Sequence, residues 1–89
     1  MSRAFVKEDA GSPERRYRLP PREDPGFDEA AAHALLEGAN VGDSYGAELA
    51  TGYRWGEPKL RLHVQRILEE ARAKGNERME QLAERFLLV

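Results

Sequence analysis

The sequence predicts an all-α fold: three to four short helices arranged as helical hairpins, behind a disordered N-terminal arm. Three observations lead there. Residues 58–89 carry two apolar stripes of helical period, separated by Lys74-Gly75-Asn76. Residues 27–51 are rich in alanine and leucine and are interrupted at Gly42-Asp43. Residues 1–26 hold four of the five prolines, clustered charges and few apolar side chains.

The arm is expected over residues 1–26 and the helical domain over 27–89. Leu19-Pro20-Pro21-Arg22 favours an extended, polyproline-like path. A segment of this composition buries too little apolar surface to offset its ordering entropy. Phe5, Val6, Tyr17 and Leu19 are the exceptions, able to dock on a partner or on the helices. The plainer reading is a tail with incidental aromatics.

Phe27-Asp28 opens the first helix. Asp28 is the expected N-cap, and Phe27 before it can pack back on Ala32 as a hydrophobic staple. Ala30 to Leu36 is strong helix-forming sequence with Leu35 and Leu36 as its anchors. Gly38, Asn40 and Gly42 mark its decay. Asp43 can cap a second helix over Ser44 to Ala50, which Gly52 ends. Tyr53-Arg54-Trp55-Gly56 then links the two halves and holds the sole tryptophan. Aromatic side chains beside arginine can anchor an interface, or they can close the end of the protein's own core.

Glu57-Pro58 opens the third helix, because proline at the first helical position loses only an N–H that lacks a partner anyway. Leu60, Val64, Ile67, Leu68 and Ala71 follow on one helical face. Leu62 falls on the opposite side, as a second contact surface or simply exposed. Arg66/Glu70 and Glu70/Lys74 stand at i,i+4, each pair contributing roughly 0.2–0.5 kcal/mol. Gly75 can take the left-handed conformation that ends a helix, and Asn76 can cap the next. Met79, Leu82, Ala83, Phe86 and Leu87 restart the stripe. So short a connection makes an antiparallel pair. Leu35-Leu36, Gly42-Asp43 and Leu49-Ala50 echo Ile67-Leu68, Gly75-Asn76 and Leu82-Ala83, near the period of about 34 residues of helical-hairpin repeats. Two such hairpins could stack, although shared helix physics explains the echo without duplication.

Composition narrows the function. Eighty-nine residues, 40% of them hydrophobic, suit one small domain. The absence of cysteine leaves no disulfide and no thiolate metal site, which fits a reducing compartment. No apolar run approaches the ~20 residues of a membrane span and no signal-peptide core is present, so a soluble cytoplasmic protein with no membrane contact is expected. Residues 26–57 carry one Lys/Arg against six Asp/Glu, which argues against direct nucleic-acid binding there. His33 and His63 lie on separate helices with no clustered partner of ligand spacing, so neither metal nor cofactor is expected. No glycine-rich phosphate loop and no serine or cysteine in a nucleophile context is present. An enzyme is not expected.

Two stretches resemble the Gre transcript-cleavage and elongation factors of bacterial RNA polymerase. Met1-Ser2-Arg3-Ala4-Phe5-Val6-Lys7-Glu8-Asp9, followed by Pro13-Glu14-Arg15, looks like the leader of some Gre-like proteins. Glu37 to Glu48 is similar to the tip of that family's N-terminal coiled coil: allowing one deletion, Gly42-Asp43, Ser44, Ala47 and Glu48 match. The resemblance implies insertion of this tip into the polymerase secondary channel, where acidic residues help hold a catalytic magnesium ion. Magnesium is a hard cation suited to carboxylate ligands, and Asp43 is the position that carries over. The family's second tip acid falls on Tyr45, or on Gly46 without the gap, and neither supplies a carboxylate.

Two functional readings follow. The first is a transcription accessory protein, a reduced Gre relative that binds RNA polymerase without clear cleavage activity, with Asp43, Tyr45 and Glu48 as the tip and Tyr53, Trp55 and Phe5 as further interface residues. The second is a non-enzymatic helical interaction module unrelated to transcription, able to self-associate through Leu62 or the outer edge of the hairpin.

Overall fold

The computed structural model describes residues 17–89. Its four helices are α1 (Phe27–Asn40), α2 (Ser44–Thr51), α3 (Arg61–Lys74) and α4 (Glu77–Leu88), with a 3₁₀ turn at Pro58–Leu60 leading into α3. The described residues contain no strand. The all-α class and the helical hairpins are as the sequence predicts.

The α3–α4 hairpin follows its sequence signals closely. The Glu57 side chain accepts from the Lys59 amide beside Pro58, and Leu60 at the end of the 3₁₀ turn is fully buried. Val64, Ile67 and Ala71 bury one face of α3; Leu82, Ala83 and Phe86 bury the facing side of α4. Gly75 takes φ 72° and ends α3, and Asn76 accepts from the Met79 amide at 3.2 Å as the cap of α4. Leu62 stands exposed. The ion pairs here differ from expectation. Among the described residues neither Arg66/Glu70 nor Glu70/Lys74 forms; Arg72 instead reaches across to Glu80 at 3.3 Å and Glu84 at 3.2 Å. Antiparallel packing sets Arg72 opposite two glutamates that are themselves one turn apart.

The start of α1 also departs from expectation. Asp28 is not the cap, because the helix already begins at Phe27 with Gly26 in the N-cap position. A turn upstream sets this register: the Asp24 amide donates to the Pro21 carbonyl, and Asp24 Oδ1 accepts from the Gly26 amide at 2.7 Å. Asp28 and Glu29 occupy the first helical turn, where negative charge complements the helix dipole. Of the expected arm, residues 1–16 lie outside the described residues. Tyr17 and Leu19, the two described residues able to dock, do so on the helices: Tyr17 is buried and Leu19 packs against the core.

α1 is the hub. It packs against α2, α3, α4 and the 3₁₀ turn, whereas α2, among the described residues, has α1 as its only helical neighbour. Burial of Ala31, Ala32, Ala34, Leu35 and Leu36 wraps most of the way around α1. Gly38, expected to mark the helix's decay, is a buried interior residue of it. A Cβ placed there would lie 2.6 Å from Ala47 Cβ on α2, so the glycine permits the two backbones to approach. Gly42 beyond it takes φ 76° and turns the chain into α2.

The sign of one substitution tests this packing. Alanine exceeds glycine in helix propensity by about 1 kcal/mol, so at an uncrowded site Gly38→Ala would stabilise. Crowding against Ala47 makes it destabilising instead, by roughly 1–3 kcal/mol. Thermal unfolding followed by far-UV circular dichroism should show a lowered Tm.

Candidate interaction surface

α2 is short, eight residues, and amphipathic in an unusual way. Its inward side is made of small residues, Gly46, Ala47, Ala50 and Thr51, all buried against α1. Its outward side carries the large ones, Tyr45 (74% exposed) and Leu49 (55% exposed). Val41, 59% exposed, lies in the turn before this helix, at the end of α1. Tyr45 and Leu49 thus stand one helical turn apart on the outside of the molecule.

The residues singled out from sequence fall around this helix but are not equivalent. Asp43 occupies the N-cap position of α2 without a side-chain bond to the first-turn amides. Its Oδ2 accepts from the Tyr17 hydroxyl at 2.7 Å. The same carboxylate overlies Gly46 in the first turn of α2, where a Cβ would lie 2.4 Å from it, so a side chain there would displace the carboxylate. Glu48 is half-buried, and its Oε2 accepts from the Trp55 amide at 2.9 Å. Asp43 and Glu48 therefore both serve as internal struts. Tyr45 is the member of the trio whose side chain faces outward. Phe5 lies outside the described residues.

The linker is fastened by a second set of polar contacts. The Thr51 hydroxyl donates to the Ala47 carbonyl at 2.9 Å and accepts from the Tyr53 amide at 3.1 Å. The Tyr53 hydroxyl donates to Asp28 Oδ1 at 2.7 Å, tying the linker to the first turn of α1. The Tyr53 ring lies 6.3 Å from that of Phe27. Trp55 sets its ring edge-on to Phe86 of α4, with centroids 5.0 Å apart. Both linker aromatics thus close the core while leaving part of their surface exposed.

Three features were not resolved from sequence alone. Leu49 had been paired with buried Leu82 through the internal echo, yet Leu49 is exposed and Leu82 is 2% exposed. Its signal was the i,i+4 spacing with Tyr45 on a helix otherwise made of small residues. Arg22 lies with its guanidinium 5.4 Å from the Phe27 ring centroid, close to α2. His33 and His63 line one groove between α1 and α3, together with Glu29, Arg66 and Glu70. Tertiary packing, invisible in the spacing, creates that juxtaposition. Among the described residues no group of three or more His, Cys, Asp or Glu side chains is gathered to hold a metal ion. Also among the described residues, no helix is long and apolar enough to cross a membrane. No protein-family model, curated protein or solved structure matches the chain.

The Tyr53–Asp28 bond has a pH signature. Donation to the Asp28 carboxylate, then burial, then the negative charges of Asp28 and Glu57 hold the Tyr53 hydroxyl above its ordinary value of 10.0, with Arg22 opposing them. A pKa raised by folding gives stability that is fully present below the unfolded value and is lost as pH rises through the folded one. Tyr53→Phe should therefore cost stability at neutral pH, roughly 1–3 kcal/mol for a hydrogen bond to a charged group. The gap from the parent protein should close in strongly alkaline solution. Urea unfolding of both proteins at neutral pH and at about pH 11 checks this.

Proposed function

We propose that this chain works by binding another protein, with no chemistry of its own, and that the outward side of α2 with its adjoining linker is the binding face. The observation that carries the reading is the exposed pair Tyr45 and Leu49 on a helix whose other side is fully used against α1, with exposed Val41 in the preceding turn. Contiguous exposed apolar side chains beside tyrosine and arginine have the composition of interface hot spots. The struts at Asp43, Glu48, Thr51 and Tyr53 hold the face in one geometry, which lowers the ordering cost of association. The acidic balance of residues 26–57 favours a protein partner over nucleic acid. A cytoplasmic setting belongs to the same proposal and accords with the cysteine-free sequence.

Bacterial RNA polymerase is the partner named by the resemblance to Gre factors. The observation favouring it is that the matching residues Asp43, Ser44, Ala47 and Glu48 all lie at the cap of α2 or on that helix, beside exposed Tyr45. With Asp43 bonded to Tyr17 and Glu48 to the Trp55 amide, this helix suits docking better than capture of a magnesium ion.

The test uses core RNA polymerase passed over the immobilised protein. On the polymerase reading, Tyr45→Ala/Leu49→Ala should weaken binding by more than tenfold, as expected for loss of about 2 kcal/mol at a hot spot. Leu62→Ala, on the far side of the hairpin, should leave it unchanged. No polymerase binding by the parent protein would withdraw that partner. The broader reading is then tested by quantitative co-purification from lysate. It fails if the double variant captures the same proteins in the same amounts. A solution mass that rises with concentration, and that Leu62→Ala returns to the monomer value, would move the interface to α3.

A further inference from the structure

Leu49 is the shared wall of two grooves. One, about 410 Å³, is lined by Tyr45, Tyr53 and Arg54 among others. The other, about 280 Å³, lies between Pro20-Pro21, Arg22 and Phe27. Each groove thus has one arginine, with Leu49 between them. Both arginines are exposed, and among the described residues neither guanidinium has an ion-pair or hydrogen-bond partner. Arg22 is aligned by the Phe27 ring beneath it.

Arg54 is informative because it is the single Lys/Arg among the six Asp/Glu of residues 26–57. An arginine in an acidic neighbourhood ordinarily pairs with one of its neighbours. Among the described residues, the only carboxylate lining either groove is that of Glu48, whose Oε2 accepts from the Trp55 amide and which makes no ion pair with either arginine. Two exposed guanidinium forks without an ion-pair partner among the described residues match carboxylates, which they can bind in bidentate fashion.

We infer that the α2 face takes a short acidic–apolar segment of a partner protein: a large apolar side chain laid over Leu49, with carboxylates on either side meeting Arg22 and Arg54. The inference rests on the binding reading above and adds the chemistry of the occupant. The surrounding negative charge, felt over the Debye length of about 8 Å, also restricts the occupant. It disfavours long polyacidic tracts and leaves short segments whose carboxylates lie at the two arginines.

The experiment titrates the isotopically labelled full chain with two synthetic peptides that share one pattern of leucine and phenylalanine. One carries glutamate at the flanking positions and the other carries lysine. The glutamate peptide should shift the amide resonances of residues 44–54, bind at least tenfold more tightly than the lysine peptide, and lose that advantage as salt is raised. In Arg22→Glu/Arg54→Glu, checked for folding by circular dichroism, the preference should reverse. Arg54→Glu alone should reduce it. A lysine peptide that binds the parent protein equally well at the same resonances overturns the charge assignment while leaving α2 as a binding face. A preference unchanged by the charge reversal also overturns it. If neither peptide perturbs α2, the inference fails. The binding reading fails with it only if Tyr45→Ala/Leu49→Ala also retains its captured partners.

Discussion

The structure depends on close approach along α1. One helix of 14 residues must contact three others, and helix separation is set by the side chains at the crossing. Ala31, Ala32, Ala34 and Gly38 provide the small surfaces that let neighbours come near, while Leu35 and Leu36 fill the space beside them. The seam at Gly38 and Ala47 is the tightest case, since even a methyl group on Gly38 would intrude. Tyr17 packs at the same place, its hydroxyl 3.1 Å from where that methyl would sit. Residues distant in sequence therefore meet at a position defined by the absence of a side chain.

This explains which parts of the fold were legible beforehand. The α3–α4 hairpin was legible because its determinants are local: an apolar stripe, a left-handed Gly75 and the Asn76 cap all lie within one short stretch. The start of α1 was misplaced by two residues because Asp28 has the composition of a cap, while the actual entry turn is organised by Asp24 and Gly26. The docking of Tyr17 had no clear local signal, since its partner Asp43 is 26 positions away. Within the candidate site, the resemblance to the Gre tip singled out Asp43, Tyr45 and Glu48, of which Asp43 and Glu48 are bonded inward and Tyr45 is exposed. Their separate roles were not legible, because sequence does not show which side of an eight-residue helix is covered. The same limit hid the exposure of Leu49.

The polar contacts around α2 compensate for its limited packing. A short helix with one helical neighbour among the described residues buries little apolar area there, and isolated helices of this length are unstable in water. Glu48 to the Trp55 amide, Thr51 to the Ala47 carbonyl and Tyr53 to Asp28 join α2, the linker and α1 into one connected set. A network of this kind fixes geometry as much as it adds stability. Its effect on the surface is to present Tyr45 and Leu49 from a firm base, so that little conformational freedom remains to be lost when something covers them.

Trp55 occupies the seam between the two hairpins. Its amide is held from the α2 side by Glu48, and its indole rests edge-on against Phe86 of α4. As the sole indole in the chain, it is an intrinsic optical probe of how the halves are seated on one another. Helical content reports whether the individual helices survive, whereas the indole's emission reports whether the halves remain docked. Parting of the halves with their helices intact would change the second signal and spare the first, so cooperativity between hairpins can be read without introducing a label.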